Sequence, residues 1–336
     1  MNWINTVSRT YMDMQEALRP KPKVLLIGKP SMINDVWGLE SGDLAGLRKL
    51  AIVDVVTTNS MSEQGLAQRC EGYQYLMLNM DFLPFSDPNS MSKLTEKFYT
   101  HPGVRGLRGI NVDMTDADFF SPELAKTHGI LLQTTPNAVT RSVAESAVCE
   151  ILMHAKGRAA KDTCTKGLNL YGKNAGIVGR GNIGKAVGGI LSGMGMNVVY
   201  NDTDPRKGPS VPLKKMFSEC QVISVHIPAL QVHTNVSNEG FIGEELLNQC
   251  KGTIVVNLAT DIIVDTDAMA GALRSGKVTG YSVEPGRKKT EKLHKLEGVR
   301  VSPCSFDSDE SRRNVVRIWV ENTITALHGN PQNVWN

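Results

Sequence analysis

The sequence predicts an α/β protein of two domains, each built on a parallel sheet. Three observations predict it. The chain has 336 residues, more than one hydrophobic core usually spans. Short apolar runs alternate with longer stretches that can hold helices, the rhythm of strand-helix-strand units. In mid-chain a glycine-rich loop stands between one such run and a helical stretch, the place where parallel α/β folds bind phosphates.

Taken in order, the run 24–28 (Val-Leu-Leu-Ile-Gly) reads as a buried parallel strand. Runs at 75–78, 104–107 and 130–132 read as further strands of a first series. Residues 142–155 carry Val143, Ala147, Val148, Ile151 and Leu152 at helical spacing, with Glu145 three residues after Ser142 as a capping box. A second series follows at 175–178, 198–200, 222–225, 253–256, 278–282 and 299–302. Residues 310–328 read as one helix with Val315, Val316, Ile318, Trp319, Thr323 and Leu327 on its apolar side, placed to cross back to the first domain. No repeat of solenoid period is present.

Composition narrows the class. Apolar residues make up 41% and charged residues 21% with no long biased tract, as in a compact chain. Lys and Arg exceed Asp and Glu by only 37 to 34, so neither nucleic acid nor an anionic membrane is expected as a partner. The six cysteines are scattered without paired short spacing, so neither a metal cluster nor a disulfide framework is expected. Charges interrupt the first twenty residues and no apolar run approaches a membrane span. A cytoplasmic location is the expectation.

The central motif is Gly179-Arg180-Gly181-Asn182-Ile183-Gly184, which follows the strand 175–178 and opens a helix through Ala186, Val187 and Ile190. Gly179 permits the tight turn, Gly181 lets backbone approach a pyrophosphate, and Gly184 lets helix and strand pack closely. Free amides at the helix start then favour the phosphate charge. Such a pattern alone is also a common structural turn. Here the next strand is followed by Asp202, eighteen residues past Gly184, about where an acid meets the adenosine ribose hydroxyls. An acid there repels a 2′-phosphate, so NAD is expected rather than NADP. Arg206 and Lys207 lie close enough to soften that preference, or form a solvated basic loop.

At this point roughly residues 70–336 resemble the D-2-hydroxyacid dehydrogenases. The resemblance is carried by Thr135-Pro136 with Ser142-Val143-Ala144-Glu145, by Gly172-Lys173-Asn174 and by Ser224-Val225-His226-Ile227-Pro228. Val256-Asn257-Leu258-Ala259 and the ending Gly329-Asn330-Pro331-Gln332-Asn333-Val334 complete it. It implies a flavodoxin-like α/β substrate domain with a Rossmann doubly wound NAD domain inserted in it. The boundaries would be 1–136 for the substrate-type domain, 137–304 for the NAD domain and 305–336 for the returning helix. It further implies that His226 and Pro228 border the nicotinamide-side ribose, that Leu258 and Ala259 run beside the ring, and that Ser282 stands where the family uses an Asp for the carboxamide. His226 also fits a strand-end cap. Residues 108–113 resemble the loop whose amides hold a substrate carboxylate, making Arg108, Gly109 and Asn111 candidates for the substrate, with a Gly turn and an Asp cap as the structural alternative. The helix from Ser142 suggests a homodimer, the commonest soluble oligomer.

The pattern departs from the family at the chemistry. Hydride transfer at a keto acid needs a cation over the carbonyl, a general acid and a carboxylate to orient it. The Arg belongs in the segment reading Asn257-Leu258-Ala259-Thr260-Asp261, so Thr260 takes its place with Asp261 after it. The His belongs in Ser302-Pro303-Cys304-Ser305, so Cys304 takes its place. No Glu can be assigned in the short segment after Ser282. A thiol serves as acid or nucleophile only when cations lower its pKa; otherwise it is an inert buried group. Three readings stay open: an oxidoreductase with re-purposed chemistry at Cys304, Thr260 and Asp261 on a small, carboxylate-bearing substrate, a non-catalytic NAD(H)-dependent binding or regulatory protein, or a structural pseudoenzyme.

Overall fold

The computed structural model describes residues 20–30, 42–79, 94–115, 120–157, 167–229, 237–284, 292–302 and 308–335. The first sheet contains β1 (Lys23–Gly28), β2 (Ile52–Thr57), β3 (Tyr75–Leu78), β4 (Gly109–Val112) and β5 (Leu131–Gln133). They run in the order β2-β1-β3-β4-β5, all parallel, which is the flavodoxin-like order. The second sheet contains β6 (Asn174–Val178), β7 (Asn197–Asn201), β8 (Val222–Val225), β9 (Thr253–Asn257), β10 (Val278–Val283) and β11 (Val299–Val301). Its order is β11-β10-β9-β8-β6-β7, again parallel.

Central strands are apolar on both faces because helices cover both. In the first sheet Leu25 and Ile27 pack with Leu66, Phe98 and Ile110 on one side, while Val24 and Leu26 pack with Leu47 and Trp319 on the other. The second sheet is sandwiched likewise, Ile223 and Val255 facing Phe217 and Met269, and Ile177 and Val256 facing Ala147, Ile151 and Val187.

Three expectations are corrected. Residues 104–107 are not a strand: Pro102–Val104 forms a 3-10 turn capped by His101 Nδ1, which accepts from the Gly103 amide at 3.1 Å. Val104 and Leu107 bury from that turn, and the strand follows at β4. The edge strand β2 has no counterpart in the sequence reading; its residues are mostly exposed, so no continuous apolar run marks it. The helix read from Ser142 spans Thr140–Ala155 without a side-chain cap. No capping box forms, because Glu145 instead takes Arg141 as its i,i+4 partner at 2.6 Å.

The helix Asp309–Leu327 starts where Ser308 Oγ accepts from the Ser311 amide, and lies on the first sheet through Val316, Trp319 and Val320. A buried polar cluster fixes its register. Asn111 Nδ2 donates to the Trp319 carbonyl and Thr323 Oγ1, while Trp319 Nε1 returns a bond to the Asn111 carbonyl at 2.8 Å. Asn322 Nδ2 donates to the Thr134 carbonyl at 2.7 Å.

Candidate active site and dinucleotide cradle

The register of the second sheet builds the site's edge. Asn201, Val178, Val225, Asn257, Val283 and Val301 are successive cross-strand partners, so the segments after all six strands leave from one row. The order reverses between β6 and β8, where a crevice opens at the carboxyl ends of the strands. The 179–184 loop emerges at that point.

Each glycine of the loop has its own geometry. Gly179 has φ of 97°, and a Cβ there would lie 2.3 Å from the His226 carbonyl. At Gly184 a Cβ would lie 2.0 Å from the Gly179 carbonyl, so the helix Asn182–Gly193 can approach the strand only without one. Gly181 differs: a Cβ there meets nothing within 4 Å. It is the N-cap of that helix and no side chain caps it, so the amides opening the helix, with exposed Asn182 and half-buried Ile183 among the first residues, face a space that a ligand anion can fill. These residues fit a dinucleotide pyrophosphate.

Asp202 stands just past β7. Its carboxylate accepts from the Arg180 amide at 2.7 Å, the Asp204 amide at 2.9 Å and Lys207 Nζ at 3.0 Å. Burial opposes the charged form there, but the two amides and the ammonium outweigh it and hold the carboxyl below its usual range. Lys207 and Arg206 are both exposed, as a solvated basic loop requires, but each is paired, Lys207 with Asp202 and Arg206 with Asp204 at 2.9 Å.

After β8, His226 Nε2 lies 2.8 Å from Ser224 Oγ, and burial pushes the ring's pKa down to about 4, so it is neutral near pH 7. The exposed Pro228 accepts at its carbonyl from Asn238 Nδ2. After β9, the buried Asn257 braces the turn: its Oδ1 accepts from the Ala259 amide and its Nδ2 donates to the Thr260 carbonyl at 2.8 Å. Leu258 is buried, Ala259 and Thr260 are half-buried, and Asp261 opens a 3-10 turn to Ile263. Thr260 and Asp261 thus stand in one braced turn at the crevice edge. Cys304 lies outside the described residues, three positions beyond Val301. Among the described residues no group of His, Cys, Asp and Glu is arranged to hold a metal.

Two candidate assignments are corrected. Ser282 is fully buried, and its hydroxyl donates to Glu150 Oε2 at 2.6 Å while lying 2.8 Å from His154 Nε2. Its proton and one lone pair are engaged by the helix Thr140–Ala155, so it serves first as a tie between that helix and β10. Gly109 and Asn111 are not in a loop: all four residues of β4 are buried, and Arg108 sits at its amino-terminal end, opposite the carboxyl edge where such sheets bind ligands. Gly109 is small because a Cβ would come 2.8 Å from the Tyr75 ring.

The carboxyl edge of the first sheet holds a pair the sequence reading missed. The buried Asn79, just after β3, donates through Nδ2 to Asp113 Oδ2 at 2.7 Å and accepts from the Lys29 amide. These three residues follow β3, β4 and β1, across the reversal of strand order. Only that order brings them together, so no local motif marks them.

Comparison with known proteins agrees with this geometry. Residues 143–303 match the model of the D-isomer specific 2-hydroxyacid dehydrogenase NAD binding domain. A glyoxylate reductase of Korarchaeum cryptofilum is 29% identical over 240 residues, 63% of this chain and 71% of that protein. A D-3-phosphoglycerate dehydrogenase of Haemophilus influenzae is 33% identical over 215 residues, 57% of this chain but only 52% of that protein. The fold is shared with the NAD-complexed D-isomer specific 2-hydroxyacid dehydrogenase of Lactobacillus delbrueckii ssp. bulgaricus, at a TM-score of 0.72 and 21% identity over 94% of this chain and all of that one. Residues 143–303, with their parallel sheet and open glycine loop, thus form a domain that matches the NAD-binding domain of the D-isomer specific 2-hydroxyacid dehydrogenases, and the chain is similar to members of that family.

Proposed function

We propose that this protein is an NAD(H)-dependent oxidoreductase whose cleft chemistry departs from ordinary 2-keto acid reduction and serves another small, carboxylate-bearing substrate. One observation carries the reading: the nucleotide cradle at Gly181 is built and open, while the braced turn after β9 presents Thr260 and Asp261 in place of a cation.

In this reading Gly179, Gly181, Asn182, Ile183 and Gly184 hold the pyrophosphate, and Asp202 holds the adenosine ribose. His226 and Pro228 border the second ribose, and Leu258 and Ala259 keep water from the ring. When bound, the nicotinamide donates or accepts a hydride. Thr260 orients a substrate oxygen through its hydroxyl, Asp261 sets a negative field where the family has a positive one, and Cys304 holds the proton. A thiol is a poorer proton donor at neutral pH than imidazole unless cations lower its pKa, so an ordinary keto acid is expected to be a poor substrate. We take the domains to divide at 136/137 and 304/305 and the working unit to be a cytoplasmic homodimer. The four described cysteines are free, which supports a reducing compartment. Light scattering that returns a monomer mass at micromolar protein would overturn the dimer.

The test is NADH titration followed by turnover with pyruvate, glyoxylate and hydroxypyruvate. Binding with rates orders of magnitude below an ordinary dehydrogenase is expected. Brisk reduction of any of the three overturns the assignment of Thr260 and Cys304.

A further inference from the structure

We propose that Lys207 makes the adenosine end of the cofactor site accept a 2′-phosphate as well as a 2′-hydroxyl, so that this chain binds NADP(H) alongside NAD(H). The inference rests on the 179–184 loop being the dinucleotide cradle.

An acid at the end of the second Rossmann strand normally selects NAD twice over: it accepts bonds from the ribose hydroxyls and it repels a phosphate. Here neither action is left unopposed. Asp202 Oδ2 receives the Arg180 amide and Lys207 Nζ, and Oδ1 receives the Asp204 amide and again Lys207 Nζ at 3.2 Å. The carboxylate and the ammonium form one ion pair with no net charge. The pair is also oriented, since the Asp202 side chain is 10% exposed and that of Lys207 is 37% exposed. A group arriving from solvent meets the cation first.

A second cation stands at the same corner. The Arg180 guanidinium lies 4.5 Å over the Tyr200 ring. It is also flush against Gly208, where φ is 111° and a Cβ would come 2.1 Å from Arg180 Nη1. The absence of a side chain at Gly208 lets the 204–208 turn close onto Arg180, so both cations border the end of β7. Arg206 does not join them: its Nε and Nη2 are both committed to Asp204. A 2′-phosphate entering here gains Lys207 as a counter-charge, and a 2′-hydroxyl gains Asp202 once Lys207 turns aside. Each ligand recruits a different member of the pair, so discrimination between them is small.

The experiment is fluorescence titration of the full chain with NADH and with NADPH. Wild-type dissociation constants are expected to differ by no more than about tenfold. Lys207→Gln should weaken NADPH by about tenfold or more and leave NADH within about threefold. Added salt should weaken NADPH more steeply than NADH, since a charge pair is screened. A wild-type preference for NADH beyond about tenfold, or a Lys207→Gln variant that shifts both nucleotides alike, overturns the proposal. A folded wild-type chain that binds neither nucleotide overturns the cradle reading itself, and this inference with it.

Discussion

Arg300 Nε lies 2.7 Å from Glu150 Oε2, and the pair joins the helix Thr140–Ala155 to the edge strand β11. The same carboxylate oxygen accepts from Ser282 on β10, so one buried acid ties a helix to the two strands that lead toward Glu284 and Cys304.

Removing that acid strands its donors. Glu150 is 5% exposed, and breaking one side of a buried pair typically costs about 3–5 kcal/mol. Because the Arg300 side chain is 28% exposed, the expected loss for Glu150→Ala is smaller, about 2–4 kcal/mol in urea unfolding. Ser282→Ala should cost about 1 kcal/mol and leave NADH affinity unchanged; a large loss of NADH affinity would restore Ser282 to the cofactor.

Acid sensitivity follows from two half-buried imidazoles. In the unfolded chain a histidine protonates near pH 6.5, whereas burial pushes His154 and His226 down to about 4 in the folded protein. Between these values the unfolded state binds more protons, so stability falls as the pH drops from about 6.5 to about 4. Glu150, whose carboxyl is held low by Arg300 and Ser282 against the effect of burial, adds a further loss below the ordinary carboxylate range. Urea midpoints across this window should show the slope, and His154→Gln should flatten it.

The glycine loop separates binding from folding. Gly181→Ala places a methyl in open space at φ of −75°, so stability should change by less than about 0.5 kcal/mol. NADH affinity should fall about tenfold or more because the methyl occupies the phosphate's place. Gly184→Ala puts a Cβ against the Gly179 carbonyl, and thermal unfolding should show a loss of about 1–3 kcal/mol. Unchanged NADH binding in Gly181→Ala would falsify the cradle.

Asn111 is expected to act on stability alone. Its side chain serves Trp319, Thr323 and Asn322 inside the core. Asn111→Ala should cost about 1–3 kcal/mol from the partners it leaves unsatisfied. Binding of NADH should be unchanged, as should KM for any substrate found; a raised KM at full stability would return Asn111 to the site.

On the proposed reading, a cation and an acid can be introduced at Thr260 and Cys304. Two losses of two to three decades each add about 5–8 kcal/mol to a barrier if independent, at 1.36 kcal/mol per tenfold. Thr260→Arg combined with Cys304→His should therefore raise glyoxylate reduction at least about tenfold over wild type. No gain in a double variant that still binds NADH would mean that the reacting carbonyl does not lie at Thr260.

Local information carried most of the fold. Buried parallel strands need unbroken apolar runs, so β3 and β8 were legible to the residue. The glycine pattern marked the turn after β6 and the start of the helix Asn182–Gly193, because a turn, a close approach and a helix start each impose a requirement on one residue. What sequence could not show was where a side chain spends its bonds. Asn111 and Ser282 stand at plausible ligand positions in the chain, yet Trp319 and Glu150, 208 and 132 residues away, claim them. The partnership of Lys207 with Asp202 and that of Asn79 with Asp113 likewise depend on how loops close at the sheet edges. Sequence alone therefore determined the fold class and the glycine loop between β6 and its helix, since both follow from backbone demands that act over a few residues. Tertiary structure alone decided which polar groups remain for a ligand, since a buried donor or acceptor must be satisfied by whatever packing brings to it.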